Sequence, residues 1–425
     1  MTNRKNRIFI AASLANGASF SMILPLLAPL IRQLKLSEIQ AGAMVSVGAL
    51  LMAIAAIYIS KHQNKFSIYQ LLSIGFVGMA ITWGLFTAIL MYGLNTQLSL
   101  IILFILLMVA RASTGIFMAM PQIALQSYVM TSFYDEKTRS QTMSKFGALN
   151  SLGLILGPLM TTVLLYWGIL TPLWAAVIIL LIMSVMIVFL FDQSSSIEGS
   201  EQLEVHNKSV NNTNIEADHN QQVEVEVDAK TDWNIKKCYP WLSLGFSLYL
   251  AIVTLNLTAG FYIQDKFQVS VEQVAVYFAQ CSLIVGVALV FMQILISKYL
   301  KWSLQRLLWV GLSSMVLALM ITLFTDQLIV FQLTYVLYGI SVACLLPAFT
   351  TGAAQTAPNH FQTKVASFCT ATQAISFVVG PLLSTGLYQI NQSYPYYLLI
   401  MVMCIMMVYF AVQHFKVTDQ LRLSK

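Results

Sequence analysis

Charged residues are scarce in this chain. Only 9% of its 425 residues are Asp, Glu, Lys or Arg, whereas 58% are hydrophobic. Soluble domains carry roughly 25% charged residues. The scarcity argues against a soluble domain and favours a protein that sits in a lipid bilayer.

Motifs for catalysis and metal binding are also missing. The five cysteines (Cys238, Cys281, Cys344, Cys369 and Cys404) show no metal-ligand spacing, and four of them fall in apolar spans, where a thiol behaves as a small hydrophobe. The chain has no Gly-x-x-x-x-Gly-Lys phosphate loop, no Ser/His/Asp or zinc spacing within its spans, and no repeated selectivity element of a channel. We therefore expect no disulfide, no metal, no cofactor, no ATP-driven step and no enzyme activity.

Long apolar runs fill most of the chain. A run of 18 or more residues with few charges predicts a transmembrane helix. Twelve such spans are predicted, at about 8–31, 39–60, 68–92, 98–129, 146–167, 171–191, 240–263, 272–296, 303–324, 327–351, 365–388 and 393–414. The first follows basic residues as a signal peptide does, but it is too long and has no clear cleavage site, so we expect it to be retained.

Basic residues collect on one side of the predicted bundle. The opposite side carries only Arg32, Lys35 and Lys266, whereas the side of the two termini carries Arg4, Lys5, Arg7, Lys61, Lys65, Lys137, Arg139, Lys145, Lys298, Lys301, Arg306, Lys364, Lys416, Arg422 and Lys425. Lysine and arginine accumulate on the cytoplasmic face, which predicts that both termini are cytoplasmic. The net charge of +6 is therefore a mark of topology, and no nucleic-acid partner is expected.

An acidic stretch divides the chain. Asp192 to Lys237 holds ten of the seventeen acidic residues and almost no large apolar ones. Such a composition cannot bury enough surface to fold, which predicts a disordered cytoplasmic linker. The predicted organisation is an N-terminal bundle (1–191), a linker (192–238) and a C-terminal bundle (239–425), each bundle with six helices.

The two halves repeat each other. Span 5 contains LGPLMTTVL and span 11 contains VGPLLSTGL, while ISKHQNKFS after span 2 matches ISKYLKWS after span 8. Gly115 and Pro121 in span 4 correspond to Gly339 and Pro347 in span 10. Paired six-helix halves in parallel repeat are a transporter architecture in which the substrate site lies near the midplane.

These features resemble the major facilitator superfamily, and its twelve-helix drug:proton antiporter branch in particular. The resemblance rests on Arg111 followed by Gly115 in span 4, and on the glycine ladder GALNSLGLILGP in span 5, which contains Gly147, Gly153, Gly157 and Pro158. It implies an all-α membrane protein with two six-helix bundles, and transport by alternating access.

The chain departs from the family pattern at two places. The loop after span 2 keeps its basic residues, but Ser60 stands at the expected aspartate and Gln63 at the expected glycine. Thr161 and Thr162 occupy the positions of the paired glycines that often follow the Gly-Pro pair.

Glycines four residues apart in a lipid-embedded helix form a flat face for a neighbouring backbone. Gly153 and Gly157 are such a pair, and Pro158 favours a bend. This pattern indicates either a packed, kinked helix or a water-excluding seam between the halves, with span 8 or 11 as partner. Gly380 and Pro381 are the counterparts in span 11.

Arg111 is the charge that lies deepest in a span. A charged side chain at the centre of a helix costs roughly 2.5–3.5 kcal/mol on insertion scales, so it faces a cavity or a partner. The alternatives are a role in the substrate or proton pathway, or a structural arginine that binds carbonyls. Tyr335 takes its place in the second half.

No Asp, Glu, Lys or His lies well inside a predicted span. Exporters of lipophilic cations usually need a membrane carboxylate as the counter-charge. A lone arginine favours anionic or carboxylate-bearing ligands such as a siderophore or metallophore, through bidentate bonds. The coupling proton then moves with the substrate or acts through the carboxylates at the outer ends of the spans, which are Glu38, Asp265, Glu272 and Asp326.

Polar side chains within spans complete the candidates for the pathway. The amides are hardest to satisfy within their own helix, and two tyrosines share span 10; the set is Asn16, Gln122, Asn256, Gln373, Tyr335 and Tyr338. For each, packing within the bundle is the alternative.

The sequence therefore predicts a monomeric, proton-coupled exporter of a small organic compound in the plasma membrane of a bacterium. Efflux of diverse drugs and import of a nutrient are the alternatives, and a receptor built on the same fold is a distant one.

Overall fold

The computed structural model describes residues 2–61, 66–96, 99–132, 152–153, 156–190, 235–300, 302–358 and 362–423. Gly147 and the predicted linker as far as residue 234 lie outside these residues. The last four residues of the predicted linker are described: they form a short 3₁₀ turn (Ile235–Cys238), and Cys238 is buried. The helices are α1a (Thr2–Ser21), α1b (Leu24–Gln33), α2 (Glu38–Lys61), α3 (Ile68–Asn95), α4 (Leu100–Ser132), α5 (Leu156–Trp167), α6 (Thr171–Leu190), α7 (Tyr239–Phe267), α8 (Val271–Ile294), α9 (Leu304–Phe324), α10 (Leu328–Gln355), α11 (Gln362–Ile390) and α12 (Tyr394–Leu423).

Eleven spans within the described residues are long and apolar enough to cross a membrane, and α5 is a shorter apolar helix. The prediction of an all-α membrane protein is confirmed. Because successive spans alternate in direction, α1a begins and α12 ends at the same end of the bundle. We call this the inner end and the opposite one the outer end.

Large apolar side chains cover the outside of the bundle. Ile81, Ile101 and Val408 are 63%, 69% and 63% exposed, whereas Phe76 and Trp83 are at most 2% exposed. Helices satisfy their own backbone hydrogen bonds, so an apolar exterior is compatible with lipid contact.

The first span, predicted as one helix with a kink at Pro25 or Pro29, is broken into two helices. α1a ends at Ser21, two turn residues follow, and Pro25 stands in the first turn of α1b. Proline has no N–H and cannot continue the hydrogen-bond ladder of a preceding turn. The amide of Leu26 bonds the carbonyl of Ile23 instead of that of Met22.

Helix α5 supports this break. The carbonyl of Met22 does not receive the amide of Leu26, and the Thr161 hydroxyl donates to it at 3.0 Å. The Ser21 hydroxyl donates to the carbonyl of Gly153 at 3.3 Å. Thr161 thus has a reason to replace the glycine of the family pattern, because a glycine would leave the buried carbonyl without this donor.

The internal repeat extends to hydrogen bonds. Thr162 donates to the carbonyl of Pro158 at 2.9 Å, and Thr385 donates to the carbonyl of Pro381 at 2.7 Å. Both hydroxyls therefore bond back to the carbonyl of the proline four residues earlier, as threonine hydroxyls within helices often do.

The two outer turns, α1b–α2 and α7–α8, also repeat. Lys35 and Gln268 are the two non-glycine residues with positive φ (58° and 52°) in the described chain. Two residues later each turn has a serine–glutamine capping pair, Ser37 with Gln40 and Ser270 with Gln273.

The halves meet along two contacts. Helix α2 packs against α11, and α1b packs against α7 and α8. Within the halves the strongest packing joins α2 and α3 to α4, and α8 and α9 to α10. Helices 1, 2, 7, 8 and 11 therefore carry most of the inter-half interface among the described residues, and the end of α5 (Leu165–Trp167) also contacts α8.

The role of Thr161 yields a prediction. Thr161→Val keeps the shape of this fully buried side chain but leaves the Met22 carbonyl without its donor. We expect a loss of about 1 kcal/mol in unfolding free energy, measured as a lower melting temperature in detergent. Thr162→Val is the matched control, since its hydroxyl bonds only within α5. Equal losses in both variants would contradict this role.

Candidate gate and substrate pathway

A cluster of side chains joins the halves at the outer end. The guanidinium of Arg32 in α1b contacts both carboxylate oxygens of Asp265 in α7, with Nη2 at 2.7 Å from Oδ2. Arg32 also donates to Glu38 Oε1 at 2.9 Å and to Gln264 Oε1 at 3.2 Å. The Tyr388 hydroxyl of α11 donates to Asp265 Oδ2 at 2.6 Å. We call these five residues the outer cluster; its one guanidinium holds a carboxylate from each half.

The outer cluster is largely shielded from solvent. The side chains of Arg32 and Asp265 are 20% and 33% exposed, and the guanidinium lies 5.1 Å from the ring centroid of Phe261. Bidentate arginine–carboxylate pairs are among the stronger charged hydrogen bonds, and partial burial reduces their screening. The neighbouring Lys266 turns away and donates to the carbonyls of Thr322 and Leu323 at the end of α9.

The ion pair follows the internal repeat. Arg32 lies three residues before the left-handed Lys35, and Asp265 lies three residues before the left-handed Gln268. Equivalent positions of two repeated halves approach each other near their pseudo-two-fold axis. The repeat thus places opposite charges at one structural position, where they hold the halves together.

Two glycines close the seam beneath this cluster. A Cβ at Gly42 in α2 would lie 2.7 Å from the carbonyl oxygen of Pro381 in α11. A Cβ at Gly260 in α7 would lie 2.6 Å from the Cβ of Ala28 in α1b. Both distances are too short for carbon, so the halves approach this closely only because neither residue has a side chain.

The predicted glycine ladder packs elsewhere. A Cβ at Gly153 would lie 2.8 Å from the amide of Ala18, and one at Gly157 would lie 2.7 Å from the carbonyl of Ala18, both in α1a. Gly153 and Gly157 therefore face helix 1 of the same half and not span 8 or 11. The end of α5 (Leu165–Trp167) does contact α8, so a seam between span 5 and the other half stays a prediction.

The other motif residues pack in the same intra-half manner. Gly115 in α4 approaches Gly48 in α2, where an added Cβ would lie 2.9 Å from the Gly48 carbonyl carbon. Gly380 in α11 faces Val253 in α7. Pro158 and Pro381 carry the carbonyls that accept the threonine hydroxyls. A gating role for these residues stays a prediction.

Arg111 lies in α4 against two helices of its own half. Its guanidinium carbon is 4.8 Å from the ring centroid of Trp83 in α3, and its aliphatic part lies beside Gly48 in α2. Among the described residues neither of the two ion pairs involves Arg111. The cation is held by an aromatic face instead of a carboxylate, a favourable contact in a site with little water. Its place in the substrate pathway stays a prediction.

The four predicted amides differ in their surroundings. Asn16 is 4% exposed, and its Oδ1 has no hydrogen-bond partner in the described part of the chain. Asn256 donates to the carbonyl of Ile252 in its own helix at 2.8 Å, and Gln122 is half-buried. Gln373 lines a cavity in the C-terminal half.

The predicted tyrosines belong to the core of the C-terminal half. Tyr338 is 1% exposed, and its hydroxyl lies 2.8 Å from the Thr322 hydroxyl in α9. Tyr335 is 4% exposed and packs edge-on against Tyr338, with centroids 5.3 Å apart. The geometry shows a packing role for both residues, and a pathway role stays a prediction.

The fold and outer cluster define a multi-pass membrane protein of two repeated six-helix bundles with a charged closure between them. Its sequence matches the Major Facilitator Superfamily over residues 9–381. This chain belongs to that superfamily, and the expected resemblance is confirmed.

Relatives within the superfamily have different substrates in their names. Multidrug resistance protein 2 of Bacillus subtilis (strain 168) is 24% identical over 382 residues, covering 88% of this chain and 86% of its own. A solved POT family transporter in complex with a thioalcohol conjugated peptide has a TM-score of 0.69, with 14% identity and 98% and 97% coverage of the two chains.

Two other solved structures share the fold. A nucleoside transporter has a TM-score of 0.65 at 11% identity and covers 96% of this chain and 99% of its own. An inward-facing, occupied bacterial homologue of the human lysosomal transporter Spinster has a TM-score of 0.62 at 15% identity, with 91% and 82% coverage.

Sequence reasoning placed Arg32, Glu38 and Asp265 at the outer ends but did not join them, and it missed Tyr388. The sequence does relate the two outer turns, since KLSEIQ (35–40) and QVSVEQ (268–273) share the serine and glutamine of the capping pairs. Aligning the halves on these turns places Arg32 opposite Asp265.

The outer cluster predicts how the closure opens. Asp265→Asn removes the negative charge that Arg32 holds across the axis, so the ratio of open to closed outer ends should rise by roughly tenfold, or about 1.4 kcal/mol. Spin labels at Ile39→Cys and Glu272→Cys, in a background without native cysteines, report the separation of the outer turns.

The control is Asp326→Asn, an exposed outer carboxylate outside the cluster. The exchanged pair Arg32→Asp with Asp265→Arg should restore the short distance. An unchanged distance distribution in Asp265→Asn would show that the ion pair does not hold the outer end closed.

Proposed function

We propose that this chain is a secondary active transporter of the plasma membrane that exports a small organic compound by alternating access, coupled to protons. The observation that carries the proposal is the outer cluster, in which one guanidinium links a carboxylate of each half. A link of this kind closes one end of the bundle and has to break before the other conformation forms.

The proton acts at Asp265 in this proposal. The groups that face its carboxylate are Arg32 of α1b and the hydroxyl of Tyr388 in α11, while Glu38 of α2 competes for the same guanidinium. Protonation removes the charge of Asp265, so that Arg32 keeps only its ion pair with Glu38. The halves then separate at the outer end and the substrate leaves. The Arg32–Asp265 pair re-forms only after the proton has left Asp265, so in this proposal the proton is released towards the inner side as the outer end closes.

Export is favoured by the helix 4 and helix 5 motifs and by the name of the Bacillus relative. Import is the second candidate, because solved relatives of the same fold are named peptide and nucleoside transporters. The two are separated by comparing secreted and retained metabolites of cells with and without the protein. An exported compound accumulates inside the cells that lack it.

Proton coupling is tested with the compound found in this way. In vesicles with an imposed pH gradient and no ATP, wild-type protein should move it against its gradient, and a protonophore should stop it. Asp265→Asn should still exchange the compound at equal pH but lose more than tenfold of the gradient-driven rate. Transport that ignores both the gradient and the protonophore would refute the coupling.

The substrate class proposed from the sequence depends on Arg111. An acidic ligand group would find here a cation whose described contacts are an aromatic ring and a glycine backbone. This favours an anionic or carboxylate-bearing compound, such as a siderophore or metallophore, as the exported substrate. Efflux of diverse drugs is the competing candidate, and it needs no such cation.

The two classes respond differently to changes at Arg111. Arg111→Ala should reduce transport of 2-naphthoate by well over tenfold, since loss of a buried charged partner costs about 2–5 kcal/mol. Arg111→Lys should recover part of it, because lysine keeps the charge but loses the planar stacking on Trp83. Transport of the neutral 2-naphthalenemethanol is the matched control. Equal rates for both ligands in Arg111→Ala would make the arginine structural.

A further inference from the structure

A cavity of about 330 Å³ lies within the C-terminal half, between α7, α10 and α11. Its described walls include Tyr249 of α7, Phe349 and Thr350 of α10, and Cys369 and Gln373 of α11. Ligand sites in proteins begin at about 300 Å³, so this space fits a compound of one or two rings. It is separate from the outer cluster and from Arg111, which lies in the other half.

Aromatic rings form one side of this cavity. The ring of Tyr249 meets Phe349 edge-on with centroids 6.2 Å apart, and it lies 6.0 Å from the ring of Phe377. Phe349 is fixed from behind by Gly245, where an added Cβ would lie 2.7 Å from the Phe349 ring. Phe349 is 1% exposed and supports the ring of Tyr249, which is half-buried and presents a preformed face to another aromatic group.

The polar groups of the cavity are few and uncharged. Among its described lining residues there is no Asp, Glu, Lys, Arg or His, and the strongest hydrogen-bonding group is the amide of Gln373. Thr350 bonds back to the carbonyls of Leu346 and Pro347 in its own helix. A charged group that entered here would find no counter-charge among the described lining residues.

We propose that this cavity binds an uncharged aromatic group of the ligand, oriented by the Gln373 amide and stacked on the ring of Tyr249. The proposal rests on the transport function proposed above and gives it a substrate feature that Arg111 does not supply. A ligand with a ring and a separate acidic group would place its ring in this cavity of the C-terminal half and its acidic group at Arg111 in the N-terminal half.

Three photoactivatable probes with one ring system test this assignment in the full chain in detergent: 4-benzoylbenzyl alcohol (neutral), 4-benzoylbenzoate (anionic) and 4-benzoylbenzyl-trimethylammonium (cationic). Labelled peptides are identified by mass spectrometry. The neutral probe should label α7, α10 and α11 peptides around the cavity saturably. At equal concentration the two charged probes should label them at least tenfold less.

Thr350→Phe fills the cavity from a position that is exposed, so the core of the half is left intact. It should reduce the saturable labelling at least tenfold. Leu317→Phe is the control of equal size on an exposed position of α9. Gln373→Leu keeps the volume but removes the amide, and it should weaken labelling severalfold without shifting the melting temperature.

Equal cavity labelling by the neutral and anionic probes would overturn the selectivity for uncharged rings. Neutral labelling that Thr350→Phe leaves unchanged would overturn the site itself. Both outcomes are distinguishable from failure of the proposed function, because gradient-driven transport of the exported compound is measured independently of the probes. If that transport is lost while the labelling pattern holds, the cavity is a ligand site without the proposed coupling.

Discussion

The structure depends on one guanidinium that carboxylates of both halves share. Arg32 bonds Glu38 within its own half and Asp265 across the pseudo-two-fold axis, with Tyr388 fixing the second carboxylate. The closure also needs the halves to approach closely at Gly42 and Gly260, where the seam has no space for side chains. In a bilayer, apolar helix surfaces gain little free energy by exchanging lipid contacts for contacts with each other. Hydrophobic contact alone therefore does not hold the outer end closed.

The family-motif glycines pack within each half, which suits the rigid-body motion that the proposed mechanism needs. The glycines of the family motifs bind helices within the halves: Gly115 against Gly48, Gly153 and Gly157 against α1a, and Gly380 against α7. Tight packing inside the halves and a polar, reversible link between them are what rigid-body rocking requires. The broken helix 1 is part of the same arrangement, since α1a packs on α5 while α1b reaches across to α7 and α8.

The fold could largely be predicted from the sequence because membrane insertion depends on local composition. Eleven predicted spans correspond to described helices, and the paired Gly-Pro segments revealed the repeat. The partner of the glycine ladder could not be predicted, since small residues show that a backbone approaches but not which one. The ion pair joins residues 233 positions apart, so it becomes visible only once the halves are packed.

The candidate site was predicted less well for a related reason. Polarity within a span marks an unusual residue, but it does not distinguish a pathway from a packed core. Tyr338 and Gln373 both met that criterion, yet one is bonded to Thr322 in the core and the other lines a cavity. Arg111 was singled out by its charge, while its neighbour Trp83 carried no signal at all.

In the proposed mechanism the outer end opens and closes in each transport cycle. Ile39→Cys in α2 and Gly386→Cys in α11 lie on opposite sides of the seam, where a Cβ at Gly386 would be 3.8 Å from the Ile39 side chain. A short, reducible methanethiosulfonate cross-linker between them should abolish transport of the exported compound, and dithiothreitol should restore it. Undiminished transport by the fully cross-linked protein would contradict the account.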